Sequence, residues 1–522
     1  MLLRFTSKQR ARGWGVPPHA ILLAAGPVLF LFAENAAQQV TLGPLWRPLL
    51  VAVLAAALLL AACTAALRDP ARGGLLAGVL VALFMSFGHV WNGLSATLPD
   101  PSWLAAIWAL IALAAAWLIR RGGRWVPATN SFLTVAASLF LVINAVRVGD
   151  FALGGIGPVD TSVEEAPIQV DAGAPRPDVY YIILDRFAGA DILREVYDVD
   201  PDPFLAELER RGFQVADESW ANYFKTALSL VSSLNMEYLD PDRYDDSDPD
   251  SFDRIHAALR ERLRVPATLK ALGYEYVHIA NTWEPTATNV DADIVLRYEA
   301  GSEFELAVMA TTPLRLLGPA VLPDENDESV PFPELAREHV LYGFDRLEEA
   351  AQRPGPTYVF AHILVPHPPY VFDIDGSMPT EEERRRWGQL EEYRRQVTWA
   401  QGRLLEALDA ILASPGGDQA VIVFQADEGA WPLRFGADQT DFQWLEATEQ
   451  EIHWKYSIMN AIRAPGMDLE AAGFHERLSP VNEFRVVFNA LFGSDLPILP
   501  DRVFLSPDYA HTWSFREYRR PD

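Results

Sequence analysis

The chain has 522 residues, half of them hydrophobic, a formal net charge of -27 and a single cysteine. That acidity argues against nucleic acid as a partner and against docking of an acidic surface onto anionic lipid, and one cysteine excludes an internal disulfide. The charge is unevenly placed: up to Asp150 eleven basic residues stand against four acidic ones, and the surplus of acid lies beyond, so two regions with different solvents are expected.

In chain order, apolar runs cover Ala20 to Ala33, Leu49 to Leu67, Gly74 to Leu94, Trp103 to Ile119 and Ser131 to Val146. A membrane-crossing helix needs about 20 largely apolar residues; the first and last runs reach that only with their flanks. Five spans are expected, forming an all-α transmembrane bundle over residues 1–148. A cleaved signal peptide fits the first run less well, since no small-residue cleavage pattern ends it. Basic residues gather in the tail (Arg4, Lys8, Arg10, Arg12) and in two loops (Arg68, Arg72; Arg120, Arg121, Arg124), while the intervening loops hold only Arg47. This places the N-terminus in the cytoplasm and, after five spans, everything beyond Val148 outside the plasma membrane. His89, Asn144 and Cys63 read as helix-packing residues.

Residues 149–177, with "GGIGP" and "DAGAPRP", read as a linker, and residues 178–522 as one extracytoplasmic domain. Four stretches there read as buried strands: "DVYYIILD" (Asp178 to Asp185), "YEYVHIA" (Tyr274 to Ala280), "TYVFAHILV" (Thr357 to Val365) and "AVIVFQAD" (Ala420 to Asp427). Helical patterns separated by glycines alternate with them, which predicts an α/β fold with a mainly parallel sheet and helices on both faces. The ligand crevice of such a sheet lies beyond the carboxyl ends of its strands.

Asp185 ends the first strand, His367 follows the third, and the adjacent pair Asp427 and Glu428 ends the fourth. Any one of these reads equally well as a cap or turn residue; together they converge on one rim. Adjacent carboxylates repel unless a cation is shared, so one divalent metal is expected, with Mn, Mg or Ca favoured by an all-oxygen ligand set and Zn left open. Thr226 stands near the start of a helix in "NYFKTALSLVSSLNMEYL", where its hydroxyl feels the positive end of the dipole; a plain N-cap accounts for it too. His362 reads as a core histidine or a site residue. Asn222 and Tyr223 line the crevice or a turn, and His453, Lys455 and His511 carry weaker claims. The acidic tracts "DPDRYDDSDPDSFD" and "LPDENDESVPF" lack EF-hand spacing and read as solvated loops.

The motifs "YYIILDRFAGADIL", "NYFKTALSLVSSLNMEYL", "HILVPHPPYVFD", "QADEGAWP" and "SPVNEFRVVFNALFG" resemble the sulfatase-like branch of the alkaline phosphatase superfamily. The similarity is greater to its membrane-anchored members, of the lipoteichoic acid synthase and phosphoethanolamine transferase type. The resemblance implies Asp185 and Asp427 as metal ligands, with Glu428 where the family has histidine. It further implies Thr226 as a metal-bound nucleophile, and His367 as a contact to the phosphoryl group or leaving oxygen. Lys225, Asn222 and His362 join the substrate-binding set. The family's sulfatases form formylglycine from a Cys or Ser in a Cys/Ser-x-Pro-x-Arg sequence; here the position is Thr followed by "ALSL", so a phospho-Thr intermediate is expected instead. The activity implied is transfer or hydrolysis of a phospho-ester on a lipid head group or envelope polymer, with a glycan hydroxyl or water as acceptor. Two alternatives stand beside it: a catalytically inactive envelope protein that binds glycan or a partner, and a phosphatase of small soluble esters.

Overall fold

The computed structural model describes residues 16–35, 42–94, 100–154, 168, 170–171, 173–241, 246–247, 251–298, 303–317, 333–439 and 441–520. The basic N-terminal tail, most of the expected linker, the "LPDENDESVPF" tract and parts of "DPDRYDDSDPDSFD" lie outside the described residues. The chain divides into two compact units, Met1–Gly155 with Phe304–Leu322, and Ile156–Glu303 with Pro323–Asp522.

The first unit holds helices α1 (His19–Glu34), α2 (Gly43–Leu67), α3 (Pro70–Leu94), α4 (Pro101–Arg121) and α5 (Trp125–Gly154). Among the described residues, α2 to α5 are long and apolar enough to cross a membrane. The expected first span falls on α1, a shorter apolar helix of 16 residues that covers about 24 Å at 1.5 Å per residue, against about 30 Å of hydrocarbon. Its surroundings differ as well. Ala20, Ala24, Val28 and Phe32 of α1 are buried, whereas Leu50, Leu58, Leu110, Leu113, Phe132 and Val135 on α2, α4 and α5 are exposed. Large apolar side chains turned outward on α2, α4 and α5 suit a bundle whose solvent is lipid.

A segment far along the chain joins these helices. Phe304 is buried and meets the Phe32 ring edge-on at 5.3 Å between centroids. Gly88 of α3 donates its N–H to the Thr311 carbonyl at 2.9 Å, and a Cβ at residue 88 would stand 2.4 Å from the Ala310 carbonyl oxygen, so this approach requires glycine. Arg315 donates to Asn92 Oδ1 at 3.0 Å. The helix involved, Glu303–Ala310, has eight residues, too few to read as a span from sequence.

The second unit is built on seven strands: β1 (Val179–Leu184), β2 (Phe213–Val215), β3 (Glu275–Ile279), β4 (Ile294–Leu296), β5 (Thr357–Ile363), β6 (Val421–Gln425) and β7 (Asn460–Arg463). Their order is β2-β7-β6-β1-β5-β3-β4. Strands β1, β3, β4, β5 and β6 are mutually parallel, and β7 runs antiparallel to both β6 and β2. Every residue of β1, β5 and β6 is buried. Strands covered on both faces need no alternation of polar and apolar residues, which is why they read as unbroken apolar runs. The register sets Ile183 beside both His362 and Gln425, so these three strands end level with one another.

Candidate metal centre and nucleophile

At that common edge Asp185 follows β1, Asp427 follows β6, and His362 is the next-to-last residue of β5. One ligand atom from each lies within 4.8 Å of the others, and all three residues are buried. The Asp185 N–H donates to the Ile363 carbonyl at 3.0 Å, fixing the end of β1 against β5. The next residue, Arg186, takes a left-handed conformation, φ 64°, unusual for a side chain with a Cβ. The turn is clamped by the Tyr393 hydroxyl, which donates to the Arg186 carbonyl at 2.8 Å and accepts from the Ala188 N–H at 3.0 Å.

Asp185 Oδ1, Asp427 Oδ2 and His362 Nε2 are buried without a hydrogen-bond partner among the described residues. Leaving a buried polar atom unsatisfied costs about 1–3 kcal/mol. One such atom on each of three clustered residues fits a shared cation. His362 Nε2 is 3.4 Å from Asp185 Oδ2, and its ring is oriented from behind. With the proton on Nδ1, the ring donates to Thr286 Oγ1 at 3.0 Å, that hydroxyl donates to Asn281 Oδ1 at 3.1 Å, and Asn281 Nδ2 donates to the His362 carbonyl at 2.7 Å. This closed ring of bonds leaves the Nε2 lone pair facing the two carboxylates, the arrangement that second-layer partners impose on metal-binding histidines.

The carboxylates are polarised apart. Burial, then the charges of Asp185 and Glu428, push the Asp427 carboxyl up to about 7, opposed by His362 and by the nearby Thr226 hydroxyl. Burial acts on Asp185 as well, yet His367, His362 and Arg186 together hold it below the ordinary carboxylate range. Two acids this close cannot both ionise cheaply without a cation.

Glu428 is not in this group, contrary to expectation. Its Oε1 accepts from Arg186 Nε at 2.7 Å and lies 2.8 Å from Lys455 Nζ. The physical reason is a backbone contact. Gly429 donates to the Lys455 carbonyl at 2.9 Å, and a Cβ at 429 would come within 2.5 Å of that oxygen. The chain can therefore press against residue 455 and bring the ammonium alongside Glu428. The candidate ligand group is then two carboxylates and an imidazole, a donor mix that Zn and Mn accept more readily than Mg or Ca.

Thr226 is the first residue of the helix Thr226–Asn235; the cap position belongs to Lys225, which makes no side-chain cap bond. The hydroxyl of Thr226 is not engaged as an N-cap and stands near Asp427. Lys225 turns toward the C-terminal segment, donating to Thr512 Oγ1 at 3.0 Å and lying 3.5 Å from the Tyr509 ring centroid. Asn222 is not brought to the site: its amide donates to the Arg502 carbonyl at 2.8 Å and accepts from Val481 N–H at 3.0 Å. Tyr223 accepts from Leu239 N–H at 2.8 Å, also a structural role. His367 is close enough to Asp185 to act on its charge; burial, then Arg186, push its imidazole down to about 4, so it is neutral at pH 7. Its Nδ1 bonds to the Pro368 carbonyl. His453 stacks on Trp220 and pairs with Asp191, and His511 pairs with Asp508 on the surface.

Sequence reading missed three participants. Arg186, packed 3.4 Å from the Trp431 ring centroid, directly follows Asp185, and its presence in the quoted motif was the only available signal. Asn281 and Thr286 sit in the loop after β3, where nothing in their spacing marks them.

No family model and no curated protein matches the chain. Among solved structures, it is similar to the integral membrane lipooligosaccharide phosphoethanolamine transferase A of Neisseria meningitidis, over 91% of this chain and 96% of that one, at 13% identity and a TM-score of 0.39. It is also similar to the lipoteichoic acid synthase LtaP of Listeria monocytogenes, over 66% and 82%, at 14% identity and a TM-score of 0.40. A third is the C-terminal periplasmic domain of EcEptC from Escherichia coli in complex with Zn, over 63% and 86%, at 12% identity and a TM-score of 0.39. These likenesses are distant.

Proposed function

We propose that the protein is a membrane-anchored, metal-dependent phospho-ester transferase or hydrolase that works through a covalent Thr226 intermediate. The observation that carries this reading is the set of three unpartnered, buried ligand atoms on Asp185, His362 and Asp427, with the Thr226 hydroxyl beside them at a helix N-terminus. One divalent ion held by those three residues, Zn or Mn by donor type, would lower the pKa of the Thr226 hydroxyl and neutralise charge on the phosphoryl oxygens.

Thr226 Oγ attacks phosphorus, the Oγ–P bond forms as the ester bond to the leaving oxygen breaks, the proton lost by the Thr226 hydroxyl ends on the leaving alcohol, and the phosphoryl group is left on Thr226. The N-terminal peptide N–H groups of its helix favour the negative charge that collects there. In the second displacement a hydroxyl of the acceptor, or water, gives up its proton and attacks the same phosphorus, the Oγ–P bond breaks, and Thr226 Oγ takes a proton back. His367 is suited to take the proton of the attacking hydroxyl: its Nδ1–H is committed to the Pro368 carbonyl, and the lone pair left on Nε2 belongs to a neutral ring. Arg186 stands beside Asp185, with a guanidinium nitrogen at 3.7 Å, where it adds positive charge at the rim. A lipid head group or envelope polymer is the substrate class that makes use of the apolar helices.

The orientation proposed from the basic loops puts this site outside the membrane and counts α1 as a span. A reporter fused after residue 520 that is active only outside the cytoplasm tests it; an inactive fusion, with the cytoplasmic control active, rejects it.

The test of the chemistry uses the purified full chain in lipid nanodiscs, with metal analysis and hydrolysis of a generic phosphodiester beside Thr226→Ala. About one Zn or Mn per chain, turnover lost in the variant, and a phosphorylated peptide containing Thr226 support the reading. Folded protein that binds no divalent metal rejects it and leaves the binding-protein alternative.

A further inference from the structure

Between the carboxyl ends of β3 and β5 and the helices Pro333–Ala350 and Gln389–Leu412 lies a cleft of about 550 Å³, counting the part open to solvent. Among the described residues, no Asp, Glu, Lys or Arg lines it, although a strongly charged centre adjoins it. Its two amide side chains are already taken up by the protein. Gln396 Oε1 accepts from the Val371 and Phe372 N–H groups at 2.7 and 3.2 Å, and its Nε2 donates to the His367 carbonyl at 2.9 Å. Asn281 closes the bond ring behind His362. What faces the space is chiefly apolar, including Ile279, Val340, Ile363 and Phe372, and the wall also carries Thr282 and three histidines, His339, His362 and His367. One surface therefore runs from a metal ligand and the proposed base directly into an uncharged cleft.

We propose that this cleft binds a short apolar group, of butyl to hexyl size, borne by the phosphoryl compound that the adjoining site takes. The inference rests on the phospho-ester reading above. A carbohydrate or a second anionic group would find no charged partner there and few polar atoms left to bond. An alkyl group gains from leaving water and displaces solvent that a mostly apolar wall holds poorly.

The test is calorimetric binding of methyl-, butyl- and hexylphosphonate to the full chain in lipid nanodiscs, with empty nanodiscs as the blank. Burial of each methylene should raise affinity about four-fold, so butylphosphonate should bind roughly 60-fold more tightly than methylphosphonate. Val340→Phe and Ala336→Leu narrow the cleft from the helix Pro333–Ala350; each should flatten the series to less than about three-fold while leaving methylphosphonate affinity in place. The smaller Ala336 change decides the matter if Val340→Phe fails to fold. Equal affinity for all three phosphonates in the native protein overturns the cleft and leaves the phospho-ester reading standing. A steep series in a protein that turns over no phosphodiester does the reverse, and a series equally steep in folded variants overturns the assignment to this cleft.

Discussion

Asp427 and Glu428 are consecutive in the chain and serve different partners: Asp427 joins Asp185 and His362, while Glu428 sits between Arg186 and Lys455 at 2.7 and 2.8 Å. The two carboxylates can therefore be separated by mutation. Asp427→Asn should abolish metal binding. Glu428→Gln should leave about one metal per chain but destabilise the fold, since removing one partner of a buried ion pair costs about 3–5 kcal/mol. Metal analysis beside denaturant unfolding distinguishes the two, and loss of metal in folded Glu428→Gln would show that this carboxylate is a ligand after all.

Thr286 touches no expected substrate, yet with the proton on His362 Nδ1 its hydroxyl accepts the bond that orients the ring, at 3.0 Å. Thr286→Val keeps the shape and removes the acceptor, so metal affinity should fall about 10- to 100-fold. Chelator competition measures it. Unchanged affinity would mean that the ring is held by β5 alone.

Glu483 gives a pH dependence remote from the metal group. It is wholly buried beside Asn460, and burial pushes its carboxyl from 4.5 up to about 8. The folded state then binds the proton more tightly than the unfolded state. The associated stability is fully present below pH 4.5 and is lost as pH rises through about 8, with a slope of about 1.4 kcal/mol per pH unit between them. Glu483→Gln should remove that slope. Unfolding midpoints of both proteins between pH 5 and 8.5 supply the comparison, and parallel curves would refute it.

Gly88→Leu should dislodge residues 304–317 from the helices, because the added side chain meets the Ala310 carbonyl and the 2.9 Å bond from Gly88 to Thr311 cannot persist. Protease sites within 304–317 should become several-fold more accessible in nanodiscs while α2 to α5 stay protected. Identical cleavage in both proteins would remove the contact from consideration.

Much of this arrangement is legible in the sequence, and the remainder has identifiable causes. Strands β1, β5 and β6 lie inside stretches marked by unbroken apolar character, and Asp185 and Asp427 follow from strand ends in a parallel sheet. Strands β2 and β4 have three residues each, too short for any period to show. The direction of Glu428 is set by the backbone at residue 455, and the service of His362 by a loop after a different strand; both are tertiary facts. The first helix reads as a span by composition, but its length and burial separate it from the lipid-facing ones.

The return of residues 304–317 to the helical unit bears on how the polypeptide can be dissected. The chain passes between its two units more than once, so no single cut divides them. A fragment starting in the linker would still contain Phe304 without Phe32 and the surrounding helices to cover it, and would expose that apolar surface to water. Supplying the α/β unit alone in soluble form thus calls for a second excision around residues 299–332, with the two ends rejoined.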